Sequence, residues 1–484
     1  LSGFAGTTRC RRASRKTTPT HTTRRCLRRR GPAAGVLLAL LSALTAACGS
    51  DGSETGSGAA TPAPRKPNIL LIVADDLGAE AASVYPALAG TGGQAPMPNL
   101  QALAARGIVF DRVWANPVCS PTRATIVTGL YGHKTGVTNV GDTLPEATTV
   151  SLFETIPTST QARYAMAAFG KWHLGPTAAH VRASGVPEFR GFVGGGISDY
   201  FDWTWTDLDG NTTRTSVYST TLLTESAIEF IDRRKASSDP WFVYLAYNAP
   251  HGTGASNGFQ VPPANLHSVN VGGLAPGAIA DTLPVYQAMI QALDTEIGRL
   301  LAAIGPPGTP LRDNTVVIFI GDNGTPAAVK DASSAVRGFK STVFEGGIRV
   351  PLVISGAGVA RRGEREDALV VASDLYATIA ELAGIPGARR GDSFSLVPLL
   401  SNSTATSGRT LLFTEMCTSA SFYAIGDERY KLSSSNGIRA LYDLVADPRE
   451  QTNRFGDPVL AAVQGRLTAE LTALAQGATA GCLN

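Results

Sequence analysis

The sequence predicts an α/β protein: a large α/β/α sandwich around a mostly parallel mixed sheet, with a smaller antiparallel sheet towards the C-terminus. Three observations carry that reading. Continuous apolar runs of strand length recur along the chain, and helical patterns separate them. After about residue 390 both give way to short segments divided by turn residues. A run that is apolar at every position is buried on both faces, which a sheet achieves when helices cover each side.

The elements follow in order. The first 30 of the 484 residues hold ten basic side chains and no Asp or Glu; a 15-residue apolar run, 33–47, then leads to Cys48. A basic stretch, a short apolar run and small residues before a cleavage point describe an export leader over 1–48. The run falls short of the roughly 20 residues a membrane-spanning helix needs. The ending Thr45-Ala46-Ala47-Cys48 is similar to a bacterial lipobox, so Cys48 is either a lipid-anchored first residue or part of a plain cleavage site. The expected location is outside the cytoplasm, as a cell-surface lipoprotein or a secreted or periplasmic protein. Residues 49–66 are rich in Gly, Ser, Thr and Pro, the composition of a flexible linker.

The expected catalytic domain covers 67–390. Its apolar strands fall at 68–74, 241–247, 315–320 and 352–354, and its helical patterns at 99–106, 220–235, 285–304 and 374–383. The expected C-terminal subdomain, 391–484, holds short strands at 411–416, 421–425, 429–433 and 440–444, then a helix near 458–475.

In open α/β sheets the carboxyl ends of the strands build the site. Here the first run ends in Asp75-Asp76, the third in Asp322-Asn323, and the second is closely followed by His251. A single turn carboxylate is ordinarily solvated. Several on one rim repel unless a cation joins them, and these oxygen donors suit Ca²⁺ or Mg²⁺ rather than zinc. The segment 119–129, CSPTRATIVTG, reads as a loop entering a helix, with Pro121 suited to the first helical position. Cys119 would then sit at the positive helix end, where a thiolate or anion is stabilised, with Arg123 on the same face. Together these residues describe an electropositive cysteine site for an oxyanion substrate.

The pattern C-x-P-x-R followed by T-G resembles the signature of the type I, formylglycine-dependent sulfatases of the alkaline phosphatase-like superfamily. Further blocks resemble that family in order: 170–175 (GKWHLG), 249–251 (APH), 321–324 (GDNG), 337–340 (RGFK) with 345–351 (EGGIRVP), and 441–453. The resemblance spans roughly 67–455. Thr122 replaces the commoner serine, and Thr253 stands where proline is common.

The resemblance implies an arylsulfatase-like sulfuric ester hydrolase. A formylglycine-generating enzyme or its equivalent would oxidise Cys119, and the aldehyde hydrate would be the nucleophile. Asp75, Asp76, Asp322, Asn323 and the modified Cys119 would bind one Ca²⁺, with Mg²⁺ as the alternative. Arg123 would hold the hydrate, and Lys171 and Lys340 would contact the sulfate. Lys340 or His251 would protonate the leaving oxygen, and His173 would accept the proton of the second hydroxyl. The implied substrate is a sulfated sugar or an aryl sulfate. Two alternatives are a phosphonate or phosphodiester hydrolase on the same machinery, and a non-catalytic glycan-binding protein whose Cys119 stays a thiol.

Some readings have two sides at this point. His133 either lines the site or stands behind it. Tyr200, Trp203 and Trp205 either stack on a substrate ring or pack within their loop. Arg337 and Arg349 either belong to the site or pair with Glu345, and the pairing is the expected arrangement. Cys417 and Cys482 are candidates for a disulfide in an oxidising exterior. The formal charge is +3, but beyond the first 30 residues the chain holds 32 basic against 39 acidic residues, a balance of −7. That excludes nucleic acid as an expected partner.

Overall fold

The computed structural model describes residues 65–146, 149–159, 163–253 and 258–476. The expected leader, the linker up to residue 64, Cys48 and Cys482 lie outside the described residues.

The main sheet has ten strands: β1 (Asn68–Ala74), β2 (Gly107–Trp114), β3 (Ala165–Lys171), β4 (Phe189–Phe192), β5 (Trp203–Asp207), β6 (Thr212–Thr215), β7 (Trp241–Ala246), β8 (Thr315–Gly321), β9 (Leu352–Gly356) and β10 (Glu364–Val371). Their spatial order is β10-β2-β9-β8-β1-β7-β3-β4-β5-β6. The pairings are parallel except where β9 runs against β2 and β8, and through β4-β5-β6. The helices that matter here are α1 (Pro98–Ala104), α2 (Cys119–Thr128), α3 (Ser219–Asp232), α4 (Leu283–Ala303), α5 (Asp374–Leu382) and α6 (Ala461–Ala475).

Strand β1 shows why this is a sandwich. All seven of its residues are buried, and period-two alternation divides them between two cores. Leu70 and Ile72 join Leu100 of α1, Phe230 of α3 and Leu293 of α4. Ile69, Leu71 and Val73 join Ile126 of α2 and Ile379 of α5. Each such side chain contributes about 1.5–3 kcal/mol on burial. The 21-residue helix α4 is capped by Thr282, whose side chain accepts from the Val285 N–H, with Pro284 in the first turn.

The expected fold class is the observed one. The four apolar runs became β1, β7, β8 and β9. Six strands do not announce themselves. Strand β3 (AMAAFGK) lacks β-branched residues, and β10 (EREDALVV) begins with charged ones, as suits an exposed sheet edge.

The second sheet runs β11 (Leu412–Cys417), β12 (Ser421–Gly426), β13 (Tyr430–Ser435) and β14 (Ile438–Asp443), antiparallel throughout. A third core joins it to the main sheet and to α6 through Trp114, Phe413, Leu432, Leu441 and Leu467. Cys417 is disulfide-bonded; Cys482, its expected partner, lies outside the described residues. Among the described residues no helix is long and apolar enough to cross a membrane.

Candidate active site

The carboxyl ends of five strands meet at one place. β1 and β8 are in register, Ala74 beside Gly321, so Asp75-Asp76 and Asp322-Asn323 leave the sheet side by side. The Asp75 N–H donates to the Ala249 carbonyl (3.2 Å) and the Asp322 N–H to the Ala74 carbonyl (3.0 Å). Asp76 adopts φ +65°, a left-handed conformation that non-glycine residues enter at a cost of about 1–2 kcal/mol. It is held there because its N–H donates to Asp322 Oδ1 (3.0 Å) and its carbonyl accepts from the Tyr286 hydroxyl (2.7 Å). Lys171 is the last residue of β3. Gly170 precedes it at φ +95°, where a Cβ would lie 1.9 Å from the Ala246 carbonyl oxygen, so only glycine lets β3 and β7 stay paired. His251 follows β7 beyond a cis Ala249–Pro250 bond, and Cys119 begins α2 beyond β2.

Three buried carboxylates share this floor with three cations. Arg123 donates through Nε (3.1 Å) and Nη2 (2.7 Å) to Asp322 Oδ2, and through Nη1 to the Lys171 carbonyl (3.0 Å). Its Nη2 also lies 3.7 Å from Asp75 Oδ2. Lys171 donates to Asp75 Oδ2 at 2.6 Å. Lys340 lies 2.6 Å from Asp76 Oδ1 and 2.9 Å from Oδ2. Arg123 and Lys171 are sealed from solvent, whereas the Lys340 side chain is 19% exposed and that of His251 20%, so the last two form the rim. The Cys119 thiol donates to Asp75 Oδ1 (3.4 Å), and ligand atoms of Asp75, Asp76, Cys119 and His251 lie within 4.8 Å of one another.

The donor set fits a hard divalent cation. Asn323 donates its amide N–H to Asp76 Oδ1 (2.7 Å), while its own Oδ1 is buried with no partner among the described residues. A buried amide oxygen with no donor among the described residues, beside three carboxylates, fits a ligand of a hard cation. His251 agrees. Its Nδ1 lies 2.7 Å from the Gly252 carbonyl, which only accepts, so Nδ1 carries the proton. Its Nε2 therefore presents a lone pair to Asp76 Oδ2 at 3.7 Å, two acceptors face to face.

Electrostatics separate the groups. Burial raises the Asp76 pKa, but Lys340, His251 and Lys171 outweigh it and hold the carboxyl well below its usual range. Burial and the Asp75 charge push Asp322 up to about 6 against the pull of Arg123. Burial works against the Lys340 ammonium, yet Asp76 dominates and raises it above an ordinary lysine. Burial lowers His173 to about 2, helped by Lys171 and Arg123, and lowers His251 to about 4 despite Asp76. His173 Nδ1 is buried without a partner among the described residues.

Several expectations change. Cys119 is not stabilised as a thiolate: burial lifts its pKa to about 12, with Asp75 and Asp322 adding to the effect. Pro121 is the third residue of α2, not the first. Arg337 donates to the Glu450 carbonyl (2.5 Å) and Arg349 to the Asp111 carbonyl (2.6 and 3.0 Å), while Lys431 pairs with Glu345 (3.1 Å). His133 pairs with Glu415 of β11 (2.8 Å). Tyr200 and Trp203 are buried rather than presented for stacking, and the Arg190 guanidinium lies over the Trp205 ring.

Three supporting residues escaped sequence reasoning in these roles. Tyr286 holds the Asp76 carbonyl. The Tyr200 hydroxyl donates to the His251 carbonyl (2.7 Å) and accepts from Asn248 (2.8 Å). Asn248, directly before the APH block, carried the one signal that could have been used.

A family model described as "Sulfatase" matches residues 67–385, and one described as "N-sulphoglucosamine sulphohydrolase, C-terminal" matches 339–477. The chain is 28% identical over 373 residues to an N-acetylgalactosamine-6-sulfatase of Sus scrofa, covering 70% of this chain and 67% of that one. It is 27% identical over 436 residues to an ulvan-active sulfatase of Formosa agariphila, covering 84% and 81%. Among solved structures, Ps i-CgsB in complex with k-i-k-neocarrahexaose superposes with a TM-score of 0.72 at 24% identity, covering 86% of this chain and 93% of that one.

Proposed function

Because the chain belongs to the sulfatase family and is thereby a sulfuric ester hydrolase, we propose that it cleaves a sulfate monoester carried on a sugar. In this reading Cys119 works as formylglycine, and with it Asp75, Asp76, Asp322 and Asn323 would hold one Ca²⁺, or Mg²⁺ as the alternative. The observation that carries it is the convergence of Cys119 on three buried carboxylates and an amide oxygen without a donor. The cation would act as a Lewis acid on a sulfate oxygen, and the hydrated aldehyde would supply the attacking oxygen.

This chain's own residues do the remainder. Lys171 and Arg123, sealed on the floor, fix the carboxylates and offset the negative charge that gathers there. Lys340 is protonated and on the rim, which makes it the proton donor to the leaving oxygen. His251, whose only proton is committed to Gly252, serves as an acceptor beside Asp76. His173 is neutral, and its Nδ1 has no partner among the described residues, the state required of a general base.

The sugar is supported by the names of the relatives and by a cavity of about 550 Å³ whose lining residue Gly196 lies beside the His251 ring, where an added Cβ would come within 3.4 Å of it. Its lining offers Ser198, Asp199, Asp202, Thr204 and Arg214 as polar side chains suited to hydroxyl groups, alongside the apolar Phe192, Ile197 and Trp203. We further propose export through residues 1–48, anchoring or cleavage at Cys48, and maturation by a formylglycine-generating enzyme.

The test has two arms. Mass spectrometry of the Cys119 peptide should find the aldehyde, and a panel of sulfated saccharides should release inorganic sulfate. A thiol mass with no turnover would mark a glycan-binding protein. Faster turnover of aryl phosphonates or phosphodiesters would move the activity to that class.

A further inference from the structure

A second concentration of positive charge lies away from this site. Arg106, Arg312 and Arg362 line a cavity of about 380 Å³ with Pro307, Gly308, Asp313, Ser355 and Gly356. Arg106 directly precedes β2, the single turn Pro310–Asp313 precedes β8, Arg362 lies just before β10, and Ser355-Gly356 close the antiparallel β9. All four therefore sit at the amino ends of the parallel strands, whereas the catalytic groups sit at the carboxyl ends. The seven residues of β8 separate the two by about 23 Å.

The arginines here differ from others nearby. Arg361 is bound by Glu364 (2.8 Å) and Glu366, Arg365 by Asp111 (2.9 Å), and Arg409 by Asp374 (2.7 Å). Among the described residues Arg106, Arg312 and Arg362 have no carboxylate, carbonyl or ring partner for their guanidinium groups. Arg312 is only 7% exposed, so its charge is largely desolvated, with no carboxylate at ion-pair distance among the described residues. Burial and the neighbouring Arg106 charge hold it below the ordinary arginine value, with Asp313 opposing. Asp313 is the single carboxylate in the lining, and its Oδ1 already accepts from the Gly308 N–H (3.0 Å). The Ser355 hydroxyl is likewise engaged, donating to the Arg106 carbonyl (3.0 Å).

A buried guanidinium without a partner is unfavourable unless an anion completes it. Three planar donor forks around one cavity match an anion with several oxygens, which can accept from more than one arginine at once. We propose that the Arg106–Arg312–Arg362 cavity is a second anion site, separate from the catalytic centre, that takes a sulfate-type tetrahedral oxyanion. The anion is either free inorganic sulfate or a sulfate group borne on a saccharide.

Calorimetric titration of the full chain with sodium sulfate, and separately with sucrose octasulfate, tests this. In R106Q/R362Q, whose altered side chains are exposed, affinity at the second site falls by about tenfold or more for each arginine removed. Hydrolysis of a small aryl sulfate stays within about twofold, because neither residue is near the reaction. R312Q reports the same loss, and the double variant decides the matter should R312Q fold poorly. R163Q/R439Q, with the same change in net charge, binds as the parent does. Loss of sulfate binding identifies the free ion as the ligand, and loss confined to the octasulfate identifies a sugar-borne group. Unchanged binding of both probes in R106Q/R362Q, or an equal loss in R163Q/R439Q, overturns the proposal.

Discussion

Replacing Lys340 by methionine separates proton donation from simple charge attraction. The ammonium lies 2.6 and 2.9 Å from the two oxygens of Asp76, and that carboxylate keeps it protonated through neutral pH. Methionine keeps a long unbranched stem but has no proton to give. If Lys340 protonates the leaving oxygen, the loss must follow the leaving group. A sugar alkoxide departs poorly without a proton, so kcat/KM for a sulfated monosaccharide should fall by about 10²–10⁴-fold, or about 2.7–5.4 kcal/mol. A 4-nitrophenolate needs little help, and 4-nitrophenyl sulfate should lose about tenfold or less. The ratio of the two losses is the measurement. Equal losses on both substrates would refute the assignment, because a cation that merely attracts sulfate serves every ester alike.

Other outcomes follow from the same contacts. Asn323→Ala removes the unpartnered amide oxygen and should raise the free Ca²⁺ needed for half-maximal activity by at least about tenfold; an unchanged requirement would place the cation elsewhere. Tyr286→Phe deletes the hydroxyl that secures the Asp76 carbonyl and should lower unfolding stability by about 1–3 kcal/mol in a denaturant titration. Lys431→Met leaves Glu345 and Glu450 buried together without their shared cation, at a cost of about 3–5 kcal/mol. The sign of its pH dependence is set by Glu450, whose pKa is already raised by burial and by Glu345 against the pull of Lys431. A carboxyl with a raised folded-state pKa stabilises in its protonated form and loses that contribution as pH rises through it. The thermal gap between Lys431→Met and the parent should therefore narrow from pH 8 to pH 5.

The strands that carry the chemistry were readable because burial on both faces leaves an unbroken apolar run, as in β1, β7 and β8. The edges were not. β10 mixes charge into its first half, and the β4–β6 ladder is short and half exposed, so neither keeps a period that marks a strand. At the site, Asp75, Asp76 and Asp322 stood out because they follow strands directly, and His251 because it comes closely after one. Lys171, His173 and Lys340 lie in segments whose local pattern says nothing about where they meet, and only the family resemblance singled them out. Partner choice was the hardest part. Glu345 follows Arg337 and precedes Arg349 in the chain, yet it pairs with Lys431 from β13, because the third core brings that strand over it.

Cys119 carries a consequence for the order of events in the cell. Its side chain is 2% exposed, every residue of α2 is buried, and burial keeps its thiol protonated. An enzyme that oxidises this cysteine has no access to it once β1, β3 and β8 have closed around the helix. If Cys119 is converted to formylglycine as proposed, maturation and folding compete in time. On that proposal the yield of active protein would depend on whether oxidation reaches residue 119 before the chain collapses, and a copy that folded first would be sound in structure yet idle.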